Sequence, residues 1–247
     1  MDTDKIINSF AQRGSVRTYD EARTVDPALL TRILDAATHA PTTGNMQLYS
    51  VVVTRDAENR GRLARLHLGQ PAACNAPVLL TFCADVRRFD RWCDARSAQR
   101  SLDNAGGYLM AITDAAIYAQ QVNTLAELCG LGCVYLGTVT YDLDGFADAL
   151  GLPAGVLPLF TIAIGYPATP ASPSSRLPLK AVVHDEQYRD ADIDDTYADL
   201  EAEPQSAAYV AENNLQTLAQ VFSQVRYPLD LNRRVAAAIH RRTAVKP

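Results

Sequence analysis

The sequence predicts a single domain of the α/β or α+β class, because short apolar runs of strand length alternate with segments of helical periodicity. The chain has 247 residues, of which 48% are hydrophobic and 21% are charged. This is an ordinary globular composition, with enough length to bury one substantial core. A long helix in the middle of the chain is apolar on most of its faces, which indicates an element buried in that core.

The first part of the chain predicts two helices separated by a polar turn. The first is a short amphipathic segment that ends near Gly14. The second begins at Asp26 and Pro27, because an N-cap residue followed by proline in the first turn is a common helix start. We expect this helix to stop just before Pro41.

Four runs rich in β-branched, aromatic and other apolar residues predict the strands of the sheet. A charged helix over about 57–68 follows the first strand, and a short helix near 146–150 precedes the last. The predicted strands are 48–54, 78–84, 134–139 and 159–164.

The long apolar helix is predicted from Gly107 to Cys129. Its polar residues form only a narrow stripe, so we expect the helix to be buried on most sides. Gly130 is well placed to cap the C-terminal end, where glycine adopts the left-handed conformation easily.

The highly charged stretch 87–104 is expected to be an exposed excursion, because it has no clean period. Segments of this kind form lids over binding sites. Within it, Phe89 and Trp92 are equally consistent with a packed loop anchor and with a substrate lid.

The end of the chain carries little strand signal. After Gly165 the sequence is rich in Pro and Ser, then acidic, then helical over 215–222 and 233–240. We therefore expect residues 168–247 to be an extension that wraps a neighbouring subunit, and not a second domain.

Charge and composition argue against several classes of partner. The formal net charge is −5 and the pI is near 5.4, which does not suit binding to nucleic acid phosphates. The first residues do not resemble a signal peptide, and no run of about 18 apolar residues predicts a membrane span. Five cysteines without scaffold spacing favour reduced thiols. We expect a cytoplasmic protein with no membrane or nucleic acid partner.

Several common site chemistries have no signature in the sequence. Gly130, Gly132 and Gly137 follow a helix and enter a strand, which is the reverse of the order in a Rossmann fingerprint. The histidines are scattered, and Cys129 and Cys133 are expected to be buried structural thiols, so no metal is predicted. An acid/base pair has no spacing rule and stays open. Polar loops without a recognisable nucleophile favour a reaction whose chemistry a cofactor supplies.

Four blocks in order resemble the nitroreductase family. QRGSVRTYD resembles its RRSxRxF signature, and HAPTTGNMQLYSVVV resembles its APSxxNxQPWxFVVV segment. The long helix then runs into LAELCGLGCVYLGTV, and LPLFTIAIGYPATP follows with a downstream Arg-Leu-Pro. The likeness covers nearly the whole chain and is greatest to the group of NADPH-dependent FMN reductases and oxygen-insensitive nitroreductases.

The resemblance implies a more definite fold and assembly. The fold would be an α+β sandwich of helices around a mixed sheet. The protein would be an obligate homodimer with two FMN sites at the subunit interface, and the C-terminal extension 168–247 would wrap the partner.

The resemblance also implies positively charged contacts to FMN. Arg13 and Arg17, with Ser15 between them, would meet the phosphate and the ribityl chain or ring edge. A dianionic phosphate and an electron-rich reduced flavin both favour forked, permanently charged donors. Arg176, in the sequence SSRLP, matches a phosphate-binding arginine.

The remaining candidates would surround the flavin ring. Hydroxyl and amide side chains of the loop 41–47 would hold the polar atoms of the ribityl chain and the ring. Gln70 matches a glutamine that contacts the isoalloxazine, and backbone N–H groups of 135–137 would approach N5 and O4. The candidate cofactor-binding residues are Arg13, Gly14, Ser15, Arg17, Pro41, Thr42, Thr43, Gly44, Asn45, Gln47, Gln70, Tyr135, Leu136, Gly137 and Arg176.

The chain departs from the family pattern at two positions. Ser174 stands where many relatives carry a second basic residue, and Gly14 stands where another arginine is common. Both departures predict weaker phosphate binding. The loop APTTGNMQLYS is also closer to the general family pattern than to the serine-rich version of the reductase group.

The activity implied is the reduction of nitroaromatics, quinones or flavins by NADH or NADPH through FMN, in a ping-pong transfer of two electrons to a small aromatic acceptor. No catalytic side chain is required, since the reacting atom belongs to the flavin. Two alternatives stay open. The protein could be a specialised relative that cleaves flavin or removes halogen, or a flavin-binding sensor without turnover.

The acidic part of the extension predicts the choice of electron donor. The stretch 190–214 contains no Lys or Arg, so it offers no ion pair to the 2′-phosphate of NADPH. We expect weak discrimination or a preference for NADH, unless Arg226, Arg233 or Arg234 reaches the site. The measurement is kcat/KM for both donors with one fixed quinone, and an NADPH preference above about 100-fold would contradict it.

Overall fold

The computed structural model describes residues 2–243, which form two compact units. The larger unit consists of residues 15–171 together with 234–243, and it contains the β-sheet. The smaller unit consists of residues 2–14 together with 172–233 and is helical.

The four strands of the larger unit form one antiparallel sheet in the order β1-β2-β4-β3. The α+β class is therefore confirmed, but the expected mixed sheet is not present in the described chain. Each strand pairs with its neighbours in opposite direction, so no crossover helix is needed between parallel strands. The strands are β1 (Tyr49–Thr54), β2 (Val78–Asp85), β3 (Gly132–Leu136) and β4 (Val156–Gly165).

The helices match most of the sequence predictions, although several begin or end a few residues from the expected position. Short 3-10 turns cover Thr43–Asn45 and Gly137–Tyr141, and a π-helical turn covers Val221–Arg226. The α-helices are α1 (Thr3–Ala11), α2 (Pro27–Ala37), α3 (Ala57–Leu66), α4 (Pro71–Asn75), α5 (Arg87–Ala95), α6 (Ala105–Leu128), α7 (Leu143–Ala149), α8 (Leu179–Val182), α9 (Ile193–Glu201), α10 (Pro204–Glu212), α11 (Leu218–Gln220) and α12 (Leu229–Arg242).

Both faces of the sheet are apolar, and helices cover each of them. Alternate residues of a strand point to opposite faces, and this is seen in β2. Leu80 and Phe82 belong to a buried cluster with residues of α2 and α6, whereas Leu79 belongs to a cluster with residues of α3, α4 and α7. The larger unit is therefore a helix–sheet–helix sandwich.

The antiparallel register directs the segments before β1 and after β3 to the same end of the sheet's strands. Tyr49 at the start of β1 pairs with Ala84 near the end of β2, and Asp85 pairs with Val156 at the start of β4. Since β3 is antiparallel to β4, the chain at its last residue, Leu136, runs toward the end of the sheet where β4 starts. The segments before β1 and after β3 thus leave the sheet at the same end of the strands.

Helix α6 has the predicted position and cap but is less buried than expected. Gly130 has a φ of 82° and follows the last turn, as predicted for a C-terminal cap. Only one face of the helix packs on the sheet. The other side exposes several large apolar side chains, with Leu109 68% and Ile112 39% exposed, together with Ile117 and Leu128. The expectation that α6 is buried on most sides is therefore wrong for the single chain.

The charged stretch 87–104 is not an irregular excursion over its whole length. Its first half forms α5, which buries Asp90 and Cys93. Phe89, Trp92 and Cys93 have the i, i+3, i+4 spacing of a helix, but this period extends over only the nine residues of α5 and not over the whole stretch. Phe89 is partly buried against the core cluster and its ring contacts Trp92 edge to face, so Phe89 is a packed anchor while Trp92 is largely exposed.

The cysteines are free thiols throughout the described residues. Cys133 is buried in β3 as predicted, but Cys129 is exposed, because it follows the last turn of α6 where the chain turns at the surface. The expectation that both are buried is therefore half correct.

The smaller unit contains more helix than the sequence indicated. The acidic stretch forms α9 and α10, and the predicted helix 215–222 is divided into the short α11 and the π-helical turn. Thr217 and Gln220 form a capping box at the start of α11. No helix within residues 2–243 is long and apolar enough to cross a membrane.

Candidate functional site

The segment Ser15–Arg17 lies along the outer edge of β3. The backbone N–H of Val16 donates to the carbonyl of Cys133 at 3.0 Å, and the Tyr19 hydroxyl donates to the carbonyls of Val16 and Ala163. A Cβ at Gly132 would lie 2.5 Å from the Val16 side chain, so this glycine allows the close approach. The segment is therefore firmly held by its backbone.

The Arg17 side chain is exposed and only lightly engaged by the protein. Its one hydrogen bond within the described chain is from Nη1 to the carbonyl of Ser15, at 3.4 Å. A guanidinium that is always charged and has free donors is suited to hold a phosphate or carboxylate by two parallel hydrogen bonds. The backbone is fixed and the charged group remains available.

The loop 41–47 has an unusual backbone. Gly44, Asn45 and Gln47 have φ values of 56°, 57° and 53°, which lie in the left-handed region. Gly44, Asn45, Gln47 and Pro41 are exposed, while Thr42 and Thr43 are half-buried. The Gln47 amide donates to the carbonyl and side-chain oxygens of Asn45. The loop thus presents neutral amide groups at the edge where β1 begins.

Two side chains from other elements hold this loop. Asp114 of α6 accepts hydrogen bonds from Thr43 and Leu48. Arg88 of α5 donates to the carbonyls of Gln47 and Tyr49. Neither residue was identified from the sequence.

Gln70 is half-buried and immediately precedes α4. Its Nε2 donates to the Thr138 hydroxyl at 3.2 Å, and the His67 Nδ1 lies 2.8 Å from the same oxygen. Thr138 belongs to the turn that follows β3. The three side chains therefore connect Gln70 to the backbone next to Gly137.

The His67 ring is fully buried, and its Nε2 has no hydrogen-bond partner among the described residues. Burial lowers the pKa of His67 from 6.5 to about 4, because a protonated ring would carry its charge away from water. The imidazole is therefore neutral at pH 7.

The three residues at the end of β3 differ in their exposure. The Tyr135 ring is partly exposed and lies 5.2 Å from the Phe160 ring, so its side chain packs on the sheet. Leu136 is buried in the core. Gly137 is exposed, and a Cβ built there would meet nothing within 4 Å. The backbone at Gly137 is therefore accessible to a flat molecule.

Arg13, Gly14 and Arg176 belong to the smaller unit. Arg13 follows α1, and its N–H donates to the carbonyl of Phe10. The exposed Arg176 donates from Nη1 to the carbonyl and hydroxyl of Ser174 and to the carbonyl of Ser175. The Arg176 side chain is therefore oriented by hydrogen bonds to the two residues that precede it.

These residues fit FMN in their chemistry. The exposed guanidinium of Arg17 suits a phosphate, the amides of Asn45 and Gln47 suit hydroxyl and carbonyl groups, and the accessible backbone at Gly137 suits a planar ring. The structure thus provides charged donors, neutral hydrogen-bonding groups and open backbone, which are the three kinds of contact that FMN requires.

The residues that sequence reasoning missed differ in the signal they carried. Asp114 is one of only two charged residues in α6, and a single acid on a buried helical face indicates a specific partner. Thr138 and His67 carried no such signal, because they are 71 residues apart and only the fold brings them together.

Comparison with known proteins gives a consistent result. A family model described as Nitroreductase family matches residues 10–166. The chain is 31% identical over 185 residues to the FMN reductase (NADPH) of Bacillus subtilis (strain 168), covering 74% of each chain. It is 32% identical over 199 residues to the FMN reductase (NAD(P)H) of the same organism, covering 76% of each chain. A solved structure from Bacteroides fragilis NCTC 9343 has a TM-score of 0.88 and 40% identity, covering 95% of this chain and 96% of that one.

The depressed pKa of His67 predicts acid sensitivity of folding. Below pH 6.5 the His67 ring becomes protonated in the unfolded chain, whereas in the folded chain it becomes protonated only near pH 4. Above pH 6.5 this histidine does not lower the free energy of unfolding. As the pH falls from 6.5 toward 4, the free energy of unfolding decreases by about 3 kcal/mol in total. Urea unfolding at pH 7, 6 and 5 measures it.

The variant His67→Gln should show a flatter dependence of unfolding free energy on pH than the wild type. His39→Gln, which removes an exposed histidine, is the control variant. Equal slopes in all three proteins would contradict the assignment.

Proposed function

Because the chain belongs to the nitroreductase family, we propose that it is an FMN-dependent oxidoreductase that takes electrons from NADH or NADPH. Nitroaromatics, quinones or flavins would accept the electrons. Both relatives from Bacillus subtilis are named FMN reductases, one with NADPH and one with NAD(P)H as donor. The level of identity to them supports the same reaction class.

One observation carries the proposal: two of the predicted flavin-binding segments lie toward the same end of the sheet's strands, although they belong to its two outermost strands, β1 and β3. The loop 41–47 enters β1 there, and the turn that begins at Gly137 leaves β3 toward it. The first offers amide groups on a left-handed backbone, and the second offers exposed main chain with no side chain in the way. A planar, polar-edged cofactor needs this combination.

The side chains would position the cofactor and would not react themselves. Arg17 would hold the phosphate, and Asn45 and Gln47 would bind polar atoms of the ribityl chain and ring. Thr43 can only accept from the flavin, because its hydroxyl already donates to Asp114. FMN, when bound, would supply the atom that accepts a hydride and passes two electrons to the acceptor.

The proposal predicts flavin binding and turnover. Purified protein reconstituted with FMN should retain about one flavin per chain, since each chain carries one set of these residues. Anaerobic NADH or NADPH should bleach the flavin absorbance, and a quinone should restore it. Absence of bound flavin would contradict the proposal, and binding without bleaching would identify a flavin-binding protein without turnover.

Within the same experiment, Arg17→Ala tests the phosphate contact. A charge-assisted hydrogen bond contributes roughly 1.5–3 kcal/mol, so FMN affinity should fall by about 10- to 150-fold. Arg62→Ala, which removes an exposed arginine of α3, should bind FMN like the wild type. Unchanged affinity in Arg17→Ala would remove this residue from the site.

We also propose that the protein is a homodimer in which the exposed face of α6 contacts the partner and residues 168–247 wrap it. Four large apolar side chains of this one helix, Leu109, Ile112, Ile117 and Leu128, are exposed, and a concentration of exposed apolar side chains is typical of interaction surfaces. Burying each large apolar side chain would stabilise the interface by roughly 1.5–3 kcal/mol. In a two-fold dimer every such contact occurs twice.

The dimer predicts a particle mass twice the chain mass of 26.9 kDa by light scattering at micromolar concentration. Leu109→Lys should raise the dimer dissociation constant by at least about 100-fold, because two charged groups would be buried at the interface. Leu68→Lys is a matched control, since Leu68 is similarly exposed at 64% but lies outside α6. A flavin-loaded wild-type monomer would contradict the dimer.

A further inference from the structure

The loop that precedes β1 cannot hold its conformation by local preference alone. Asn45 and Gln47 adopt left-handed φ values. Asparagine tolerates this region, but it costs most other non-glycine residues, such as glutamine, roughly 1–2 kcal/mol. Gly44 between Thr43 and Asn45 is also left-handed but without that cost. Contacts from outside the loop must therefore offset the strain at Gln47.

Asp114 of α6 supplies contacts at both ends of the loop. Its Oδ1 accepts from the Thr43 N–H at 2.8 Å and from the Thr43 hydroxyl at 2.9 Å. Its Oδ2 accepts from the Leu48 N–H at 3.1 Å. The carboxylate thus fixes the distance between the first and last residues of the strained segment.

The cost of burying this carboxylate indicates that its role is specific. Asp114 is 1% exposed, and no Lys or Arg of the described chain forms an ion pair with it. Taking an anion out of water costs several kcal/mol unless hydrogen bonds replace the lost solvent. An ionised carboxylate only accepts hydrogen bonds, so it alone among side chains of this size can satisfy all three donors. An asparagine would direct an N–H group at one of them.

We propose that Asp114 is a positioning residue for the FMN site, which acts by holding the Thr43–Leu48 loop in its left-handed conformation. The inference rests on the proposed function, because the loop carries the Asn45 and Gln47 amides expected to bind FMN. Asp114 itself is turned into the core and engages the loop, so its effect on the cofactor passes through the loop backbone.

The first measurement uses the flavin-free protein. Hydrogen exchange of at least one of the Thr43 and Leu48 amides should be at least 10-fold faster in Asp114→Asn than in wild type, because the asparagine keeps one acceptor oxygen and turns an NH2 group toward the other amide. Asn123→Ala is the matched control: Asn123 is a polar residue of α6 with 1% exposure. Exchange at Thr43 and Leu48 should be unchanged in this control. Equal acceleration of exchange in both variants would mean that replacing any buried polar side chain of α6 increases exchange in the loop, and would overturn the proposal.

The second measurement is FMN affinity by fluorescence quenching, at a temperature where circular dichroism shows every variant folded. The dissociation constant should rise at least 10-fold in Asp114→Asn and less than twofold in Asn123→Ala. If Asp114→Asn does not fold, Thr43→Val and Thr43→Ser replace it. Valine removes one of the three donors and should accelerate exchange at the Thr43 amide in the flavin-free protein, while serine should restore the wild-type rate.

The outcomes separate this inference from the proposed function. Wild-type protein that binds no FMN contradicts the proposed function, whereas the exchange experiment still decides whether Asp114 holds the loop. Wild-type binding together with an affinity in Asp114→Asn within twofold of it contradicts the positioning role alone. In the replacement pair, equal exchange at Thr43 in the valine and serine variants contradicts it as well.

Discussion

The two apolar faces of the antiparallel sheet are the constraint on which the larger unit depends. Residues such as Leu79 and Leu80 are consecutive in β2 yet lie in separate buried clusters, so each face must be covered by helices. Helix α6 covers one face with small residues, among them Ala115 and Ala119, which allow close approach. Because this helix lies against the sheet, Asp114 reaches the loop before β1, and the opposite side of the same helix is left with its apolar side chains uncovered.

Most of the fold could be predicted because local signals agreed with the global structure. Asp26 and Pro27 begin α2 and Gly130 caps α6, since capping depends on residues next to each other in the chain. Predictions failed where the answer depended on what lies across the fold. The exposure of Leu109 and the antiparallel direction of every strand pair are properties of the assembled chain, and periodicity does not report them. In α5, the helical spacing of Phe89, Trp92 and Cys93 is present but covers only nine residues of a longer charged stretch that has no period as a whole.

The site divides in the same way. Exposed candidates such as Arg17 and Asn45 stand in short sequence blocks, so resemblance is enough to propose them as ligand contacts. The groups that support them, such as Thr138 and Arg88, come from distant parts of the chain, and their contacts follow only from the register of the strands and the packing of the helices. Asp114 is intermediate, since an acid in an apolar helix predicts a buried partner but does not identify the partner. Sequence therefore indicates which groups meet a ligand more readily than which groups hold them in place.

The substitution at Ser174 shows how one segment can offset part of a lost charge. The family resemblance predicts a basic residue at this position, and this chain instead has a hydroxyl that accepts a hydrogen bond from Arg176 at 2.6 Å, alongside the carbonyls of Ser174 and Ser175. All three bonds use Nη1, so the other guanidinium nitrogens keep their donors for an anion. Ordering a long side chain in advance lowers the entropic cost of binding by roughly 0.5–1.5 kcal/mol. A second charge-assisted contact would contribute about 1.5–3 kcal/mol, so preorganisation of Arg176 compensates for only part of it.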